Sequence, residues 1–248
     1  VGTHQRTVGD LLRAARAALA GASVPSASLE GELLVAHVLG VDRARLLASL
    51  RDALPAGAAE HLNPLLARRC SREPLAYITG RREFYGREFA VDARVLVPRP
   101  ETELLVERGL RVAGQLEREG LRIADVGTGS GVLAITLALE LPDAGVWATD
   151  SSPDALDVAR ANGEVHGVGG RVTWLLGALS APLSGRFDLV VANLPYVRTG
   201  ALRGLQPEVS HEPTGALDGG PDGMRHIGPF IGKLPGLLTG PGAAALIE

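Results

Sequence analysis

The sequence predicts an α/β protein: a doubly wound, mainly parallel sheet preceded by a small all-helical domain and a β-hairpin hinge. Three observations carry this prediction. From residue 122 onward, short apolar runs alternate with helical patterns, as parallel strands joined by crossover helices do. The first of those runs ends in the glycine-rich turn Asp125-Val126-Gly127-Thr128-Gly129-Ser130-Gly131. Residues 7–72 instead show only the spacing of helices.

Taken in order, Thr7 and Asp10 form a capping pair ahead of Leu11, Leu12, Ala15, Ala18 and Leu19, and Gly21 and Pro25 close that helix. A second apolar face runs through Leu29, Leu33, Val35 (with Leu34) and Val38 to Gly40. A third helix is expected between Pro55 and Arg72, facing inward through Leu62, Leu65 and Leu66. From Ala76 to Val97 the pattern changes to short extended segments, Tyr77-Ile78-Thr79, Phe84-Tyr85, Phe89, Val91, Val95 and Val97, with turns at Gly80, Gly86 and Asp92. Pro100 then opens a helix, with Glu101 and Glu103 in its first turn suited to the helix dipole or to a substrate. Strands are expected at 122–126, 145–149, 171–176, 187–192 and 243–247, and helices at 130–141, 153–166 and 223–238. The domains are therefore placed at 1–73 (helical), 74–98 (hairpin linker) and 99–248 (α/β). Residues 198–222, rich in glycine, proline and acids, read as a mobile loop over a ligand site, with His211 and Glu212 either plain loop residues, the favoured reading, or substrate contacts.

Composition narrows the function. The apolar fraction of 46% suits a globular protein, and no run approaches the roughly 18 apolar residues of a membrane span. A net charge of −3 gives no overall basic footprint for nucleic acid. Cys70 is the only cysteine, so neither a disulfide framework nor a cysteine metal cluster is available, no metal is expected, and a reduced cytoplasmic setting fits best.

Two motifs carry chemistry. Gly127, Gly129 and Gly131, with Thr128 and Ser130 between them, let the backbone pass close to a ligand at a helix N-terminus. Asp150 ends the next strand, where a carboxylate can accept both hydroxyls of a ribose; the alternative for it is a helix cap before Ser151 and Ser152. Asp125 is either a cofactor contact or a structural acceptor that shapes the turn. The second motif, Asn193-Leu194-Pro195-Tyr196, follows the apolar run 187–192. An amide nitrogen is a poor nucleophile because its lone pair is delocalised, so a site must hold its N–H bonds and aim its lone pair. The Asn193 side-chain oxygen and the Leu194 carbonyl can accept those two hydrogens, Pro195 stiffens the turn, and Tyr196 can pack on the amide plane. Together the motifs predict methyl transfer from S-adenosylmethionine to a nitrogen.

These residues resemble the HemK-type protein glutamine methyltransferases, the PrmC family, over nearly the whole chain. The resemblance rests on the helical N-terminal region, Pro74-Leu75-Ala76-Tyr77-Ile78-Thr79-Gly80, Phe84-Tyr85-Gly86, Val97-Pro98-Arg99-Pro100-Glu101-Thr102-Glu103, both motifs above, His211-Glu212-Pro213 and Ala216-Leu217-Asp218-Gly219-Gly220. It implies a Rossmann-like methyltransferase domain binding S-adenosylmethionine through Gly127 to Gly131 and Asp150, with product S-adenosylhomocysteine. It further implies a substrate glutamine, in the Gly-Gly-Gln motif of peptide-chain release factors, gripped by Asn193 to Tyr196. Arg99-Pro100-Glu101 favours this branch over the sister that methylates a ribosomal protein. A monomer with a protein substrate, and without nucleic acid or membrane, is the expected state.

Three departures from the family pattern stand out. Leu194 replaces the first proline of Asn-Pro-Pro-Tyr, which keeps a backbone carbonyl there. The run Trp174-Leu175-Leu176-Gly177-Ala178 lacks the acid that the family often places near adenine, so Ala178 is expected to offer backbone groups only. The sequence ends on the expected fifth strand, so the antiparallel strand pair common in this class is expected to be missing. Rival readings are an adenine-N6 methyltransferase acting on RNA or DNA, a nicotinamide-dependent oxidoreductase, and a non-catalytic cofactor-binding relative. The first is opposed by the charge and the leading helical domain. The second leaves Asn193 to Tyr196 without a purpose.

Overall fold

The computed structural model describes residues 6–116 and 119–248 and divides into two compact units, one ending at Thr79 and one running from Gly80 to Glu248.

The first unit is helical: α1 (Val8–Gly21), α2 (Ala27–Leu39), α3 (Arg43–Ala48), α4 (Ala58–Cys70) and α5 (Leu75–Thr79). Thr7 caps α1 in a full capping box with Asp10, so two otherwise unpaired N–H groups are satisfied reciprocally. Leu11, Leu12, Ala15 and Leu19 then face a core shared with Leu34, Val35, Leu46, Leu62 and Ile78. The inward face of α2 differs from its apolar reading. Leu29 and Leu33 are exposed, while Gly31 and Glu32 are buried. Gly31 allows α1 to approach so closely that a Cβ there would lie 3.0 Å from Arg16 Cγ, and Glu32 is paired by Arg16 and Arg43. The pairing compensates burial of its carboxylate and lowers its pKa from the ordinary carboxylate value, the Arg43 hydrogen bond being the largest cause. Helix α5 is a second correction, because Tyr77-Ile78-Thr79 reads as extended. Here Pro74 starts a helical turn whose Tyr77 and Ile78 side chains are buried, so tertiary burial overrides the β preference of these residues.

The second unit opens with a hairpin, β1 (Arg81–Phe84) and β2 (Arg87–Ala90), turned at Tyr85 and Gly86, both with positive φ. Val95 and Val97, read from the sequence as extended segments, belong to no strand. Val95 N–H closes a turn onto Asp92, and Val97 N–H is taken by the Glu212 side chain rather than by a neighbouring strand. A short 3-10 turn at Pro100–Thr102 leads into α6 (Glu103–Gln115).

There follow β3 (Arg122–Val126), α7 (Val132–Glu140), β4 (Gly145–Asp150), α8 (Pro153–Val165), β5 (Val172–Leu176), β6 (Leu189–Ala192), the short β7 (Val197–Arg198) and β8 (Asp218–Gly220), α9 (Ile227–Leu237) and β9 (Ala244–Ile247). Five strands form one parallel sheet in the order β5-β4-β3-β6-β9. Alternate side chains leave opposite faces of it. Ile123, Val146, Ala148, Leu189 and Val191 pack with α6 and α7, whereas Ala124, Val126, Val190 and Ala192 pack with Phe187, Phe230 and Leu237. Residues 198–222, read as a mobile loop, form three 3-10 turns and the β7–β8 pair, and Glu212 among them is buried.

Candidate active site

Strand order decides where the predicted residues meet. The chain leaves β3 for β4 and β5 on one side and reaches β6 and β9 on the other, so a crevice opens beyond the carboxyl ends of β3 and β6. Register brings the motifs together there. Val126 pairs with both Thr149 and Ala192, so Gly127, Asp150 and Asn193 leave the sheet side by side. Asp150 pairs in turn with Leu176, and Gly177 N–H donates to the Asp150 carbonyl at 2.8 Å, which brings Ala178 to the same rim.

These strand ends wall a cavity of about 370 Å³, within the size of small-molecule sites. Gly127, Thr128, Gly129, Ser130, Asp150, Ala178, Asn193, Leu194 and Pro195 all line it. Gly131 does not. Its φ of +85° and the 2.9 Å that would separate a Cβ there from Ile135 Cδ1 show why the position is glycine: it lets α7 start tightly against the turn. Gly129, with φ of +55° and open space where a Cβ would stand, is glycine for its left-handed backbone rather than for want of room.

Asp125 lies under the turn rather than in the cavity. It is fully buried, accepts from the Thr128 hydroxyl at 2.6 Å and from Ala134 N–H at 3.1 Å, and leaves Oδ1 without a partner. Burial pushes its carboxyl up to about 7, against the pull of those two hydrogen bonds, with the Asp150 charge a lesser push upward. Asp150 lines the cavity. Its Oδ2 accepts Gly129 N–H and its Oδ1 accepts Ser152 N–H, both at 2.9 Å, while the cap of α8 is Ser152, not Asp150. A carboxylate has about four acceptor positions, so two remain for a diol.

Asn193 is placed by the end of β6, and its Nδ2 donates to Thr102 Oγ1 at 3.0 Å. That bond leaves the side-chain oxygen as the acceptor for a ligand. The Leu194 side chain is buried with Phe187 and Phe230, so leucine at this position works as a core residue under the turn. Tyr196 is 53% exposed and lines a second, smaller cavity of about 160 Å³ that shares Asn193, Leu194 and Arg99 with the first.

Three lining or supporting residues escape a reading of the motifs. Thr102 is buried and lines the cavity, whereas its acidic neighbours do not; Glu103 accepts Tyr85 N–H at 3.0 Å and Glu101 is exposed. Arg99 lines both cavities. Glu212, one residue before the cavity-lining Pro213, accepts from Arg99. Their only signal is membership of Val97-Pro98-Arg99-Pro100-Glu101-Thr102-Glu103 and His211-Glu212-Pro213. Among the described residues no group of three or more His, Cys, Asp or Glu is placed to hold a metal ion, and no helix is long and apolar enough to cross a membrane.

The PrmC N-terminal domain family matches residues 10–80 and the methyltransferase small domain family matches residues 102–208. The release factor glutamine methyltransferase of Moorella thermoacetica is 43% identical over 98% of this chain and 84% of its own length. That of Deinococcus radiodurans is 41% identical over 96% of this chain and 84% of its own. Among solved structures, the human hMettl16 catalytic domain in complex with MAT2A 3′UTR hairpin 6 has a TM-score of 0.50 and 16% identity over 69% of this chain and 63% of that one, which is a likeness of fold. With identity of this order over nearly its whole length, the chain belongs to the release factor glutamine methyltransferase family.

Proposed function

We propose that this protein transfers a methyl group from S-adenosylmethionine to the side-chain amide nitrogen of the glutamine in the Gly-Gly-Gln motif of a peptide-chain release factor. The observation that carries the reading is that Asn193 opens into the same cavity as Asp150 and the Gly127–Ser130 turn. The turn and Asp150 fit the nucleoside, with the left-handed glycine backbone at Gly129 and free acceptor positions for the ribose hydroxyls. Ala178 stands at the rim beside Asp150, where the adenine would meet backbone groups. When bound, S-adenosylmethionine supplies an electrophilic methyl group on a sulfonium.

The protein's task is to present a weak nucleophile in line with that methyl. Asn193, oriented by Thr102, accepts one N–H of the glutamine through its side-chain oxygen, and the Leu194 carbonyl accepts the other. Pro195 holds that carbonyl in place, and Tyr196 stands beside the second cavity to pack on the substrate amide. As the nitrogen takes the methyl, its surplus proton passes to water. Catalysis is then orientation and electrostatic placement, without a metal or a strong base. The helical unit helps recognise the release factor. The reading includes a cytoplasmic monomer that engages no nucleic acid and no membrane, in keeping with the single cysteine and the net charge of −3.

The test is peptide mass spectrometry of a purified release factor after incubation with the protein and S-adenosylmethionine. One added methyl on the Gly-Gly-Gln glutamine is expected. Asn193→Ala should cut turnover more than tenfold while S-adenosylmethionine affinity, read by titration calorimetry, stays nearly unchanged. Full activity in that variant would refute the role of Asn193.

A further inference from the structure

Two arginines line the main cavity, and each is matched by a carboxylate. Arg94 Nη2 meets Asp92 Oδ2 at 2.6 Å, two positions apart in one turn, with both side chains about half exposed. The other pair is built differently. Arg99 Nη2 donates to Glu212 Oε1 at 2.6 Å across 113 positions of sequence, and the Glu212 side chain is 2% exposed. Its second oxygen accepts Val97 N–H at 3.1 Å, so the carboxylate is held from two directions. Burying a carboxylate this far costs several kcal/mol unless it is paired and hydrogen-bonded. A surface link between two segments would not need it.

What distinguishes the site is the charge it must accept. If the cavity holds S-adenosylmethionine, as proposed above, the arriving ligand is a cation at sulfur and the product is a neutral thioether. In a cavity of about 370 Å³ a bound charge lies within roughly one Debye length (~8 Å) of the wall, so salt screens little of the wall's field. An uncompensated guanidinium at Arg99 would therefore disfavour the sulfonium and leave the thioether untouched, retaining product over substrate.

We propose that Glu212 is a specificity-determining residue: by cancelling the Arg99 charge in the cavity wall, it sets the preference between sulfonium and thioether ligands. The inference rests on the cavity being the S-adenosylmethionine site. A purely mechanical clasp between residues 97–99 and 212 would shift both ligands alike, whereas a charge effect separates them.

The experiment is titration calorimetry of the full chain with S-adenosylmethionine and with S-adenosylhomocysteine at low salt. Melting curves verify that each variant is folded. Glu212→Gln should weaken the sulfonium ligand relative to the thioether by roughly three- to tenfold. Arg99→Met, which leaves the carboxylate alone, should move the ratio the opposite way. The double variant should return to within about twofold of the wild-type ratio. Should Glu212→Gln fail to fold, the sign of the Arg99→Met shift decides. Equal shifts for both ligands, or an unchanged ratio in both single variants, would overturn the proposal. Wild-type protein that binds neither ligand would instead overturn the reading of the cavity, and this inference with it.

Discussion

Asp125 has no solvent exposure, and its pKa of about 7 makes it a stability switch under the glycine turn. The folded protein keeps a proton that the unfolded chain releases near pH 4. The stability tied to this group is full below that pH and is lost as the pH rises through about 7. For a shift of this size the loss is at most on the order of 4 kcal/mol. Denaturant titrations at pH 5 and pH 8 should find the wild type less stable at the higher pH, with Asp125→Asn flattening the difference. An unchanged difference in the variant would assign the effect to other groups. Residue chemistry of this kind was only half legible in the sequence: Asp125 stood out by position, but both cofactor contact and structural acceptor were open, with the structural role somewhat favoured. Glu212 was legible only as a member of the motif His211-Glu212-Pro213, and its role was not. In a loop rich in glycine and proline it looks like any solvated acid, because its partners Val97 and Arg99 lie 115 and 113 positions away.

At the scale of elements, Asn162 on α8 ties the hairpin to the glycine turn. Its Oδ1 accepts Ala90 N–H at 2.8 Å, and its Nδ2 donates to the Ala90 carbonyl at 3.0 Å and the Ser130 carbonyl at 2.9 Å. Asn162 itself is only 2% exposed, and its bond to the Ser130 carbonyl is buried, whereas Ala90 is exposed. Asn162→Ala should cost about 1–3 kcal/mol in urea unfolding, because the buried Ser130 carbonyl loses its partner while the bonds to the exposed Ala90 can pass to water. Loss of S-adenosylmethionine affinity should accompany it, since Ser130 lines the cavity. A variant of wild-type stability would show that Ala90 and Ser130 are satisfied elsewhere. The parallel strands were readable within a residue or two, since a buried parallel strand needs an unbroken apolar run and turn residues bound it. Helix α5 was not, because one helical turn held by burial has no period to detect.

At the scale of the whole molecule, every residue lining both cavities belongs to the unit that runs from Gly80 to Glu248. A segment covering residues 80–248 should bind S-adenosylmethionine within about threefold of the full chain while methylating a release factor far more slowly. Calorimetry and peptide mass spectrometry on the same preparation check both halves. Full methylation by the segment would remove the helical unit from substrate recognition.

The sequence by itself determined most of the strands, most of the helices and the motifs: apolar runs, a glycine turn, an acid after the next strand and an Asn-x-Pro-Tyr end are local features, set by neighbours a few residues apart. Only the tertiary structure decided which strand ends lie together, that Thr102 orients Asn193, and that Arg99 in the cavity wall is neutralised by Glu212. Those relations depend on strand order and on contacts across 91 and 113 positions. Burial creates such contacts, and no local pattern of polarity encodes them.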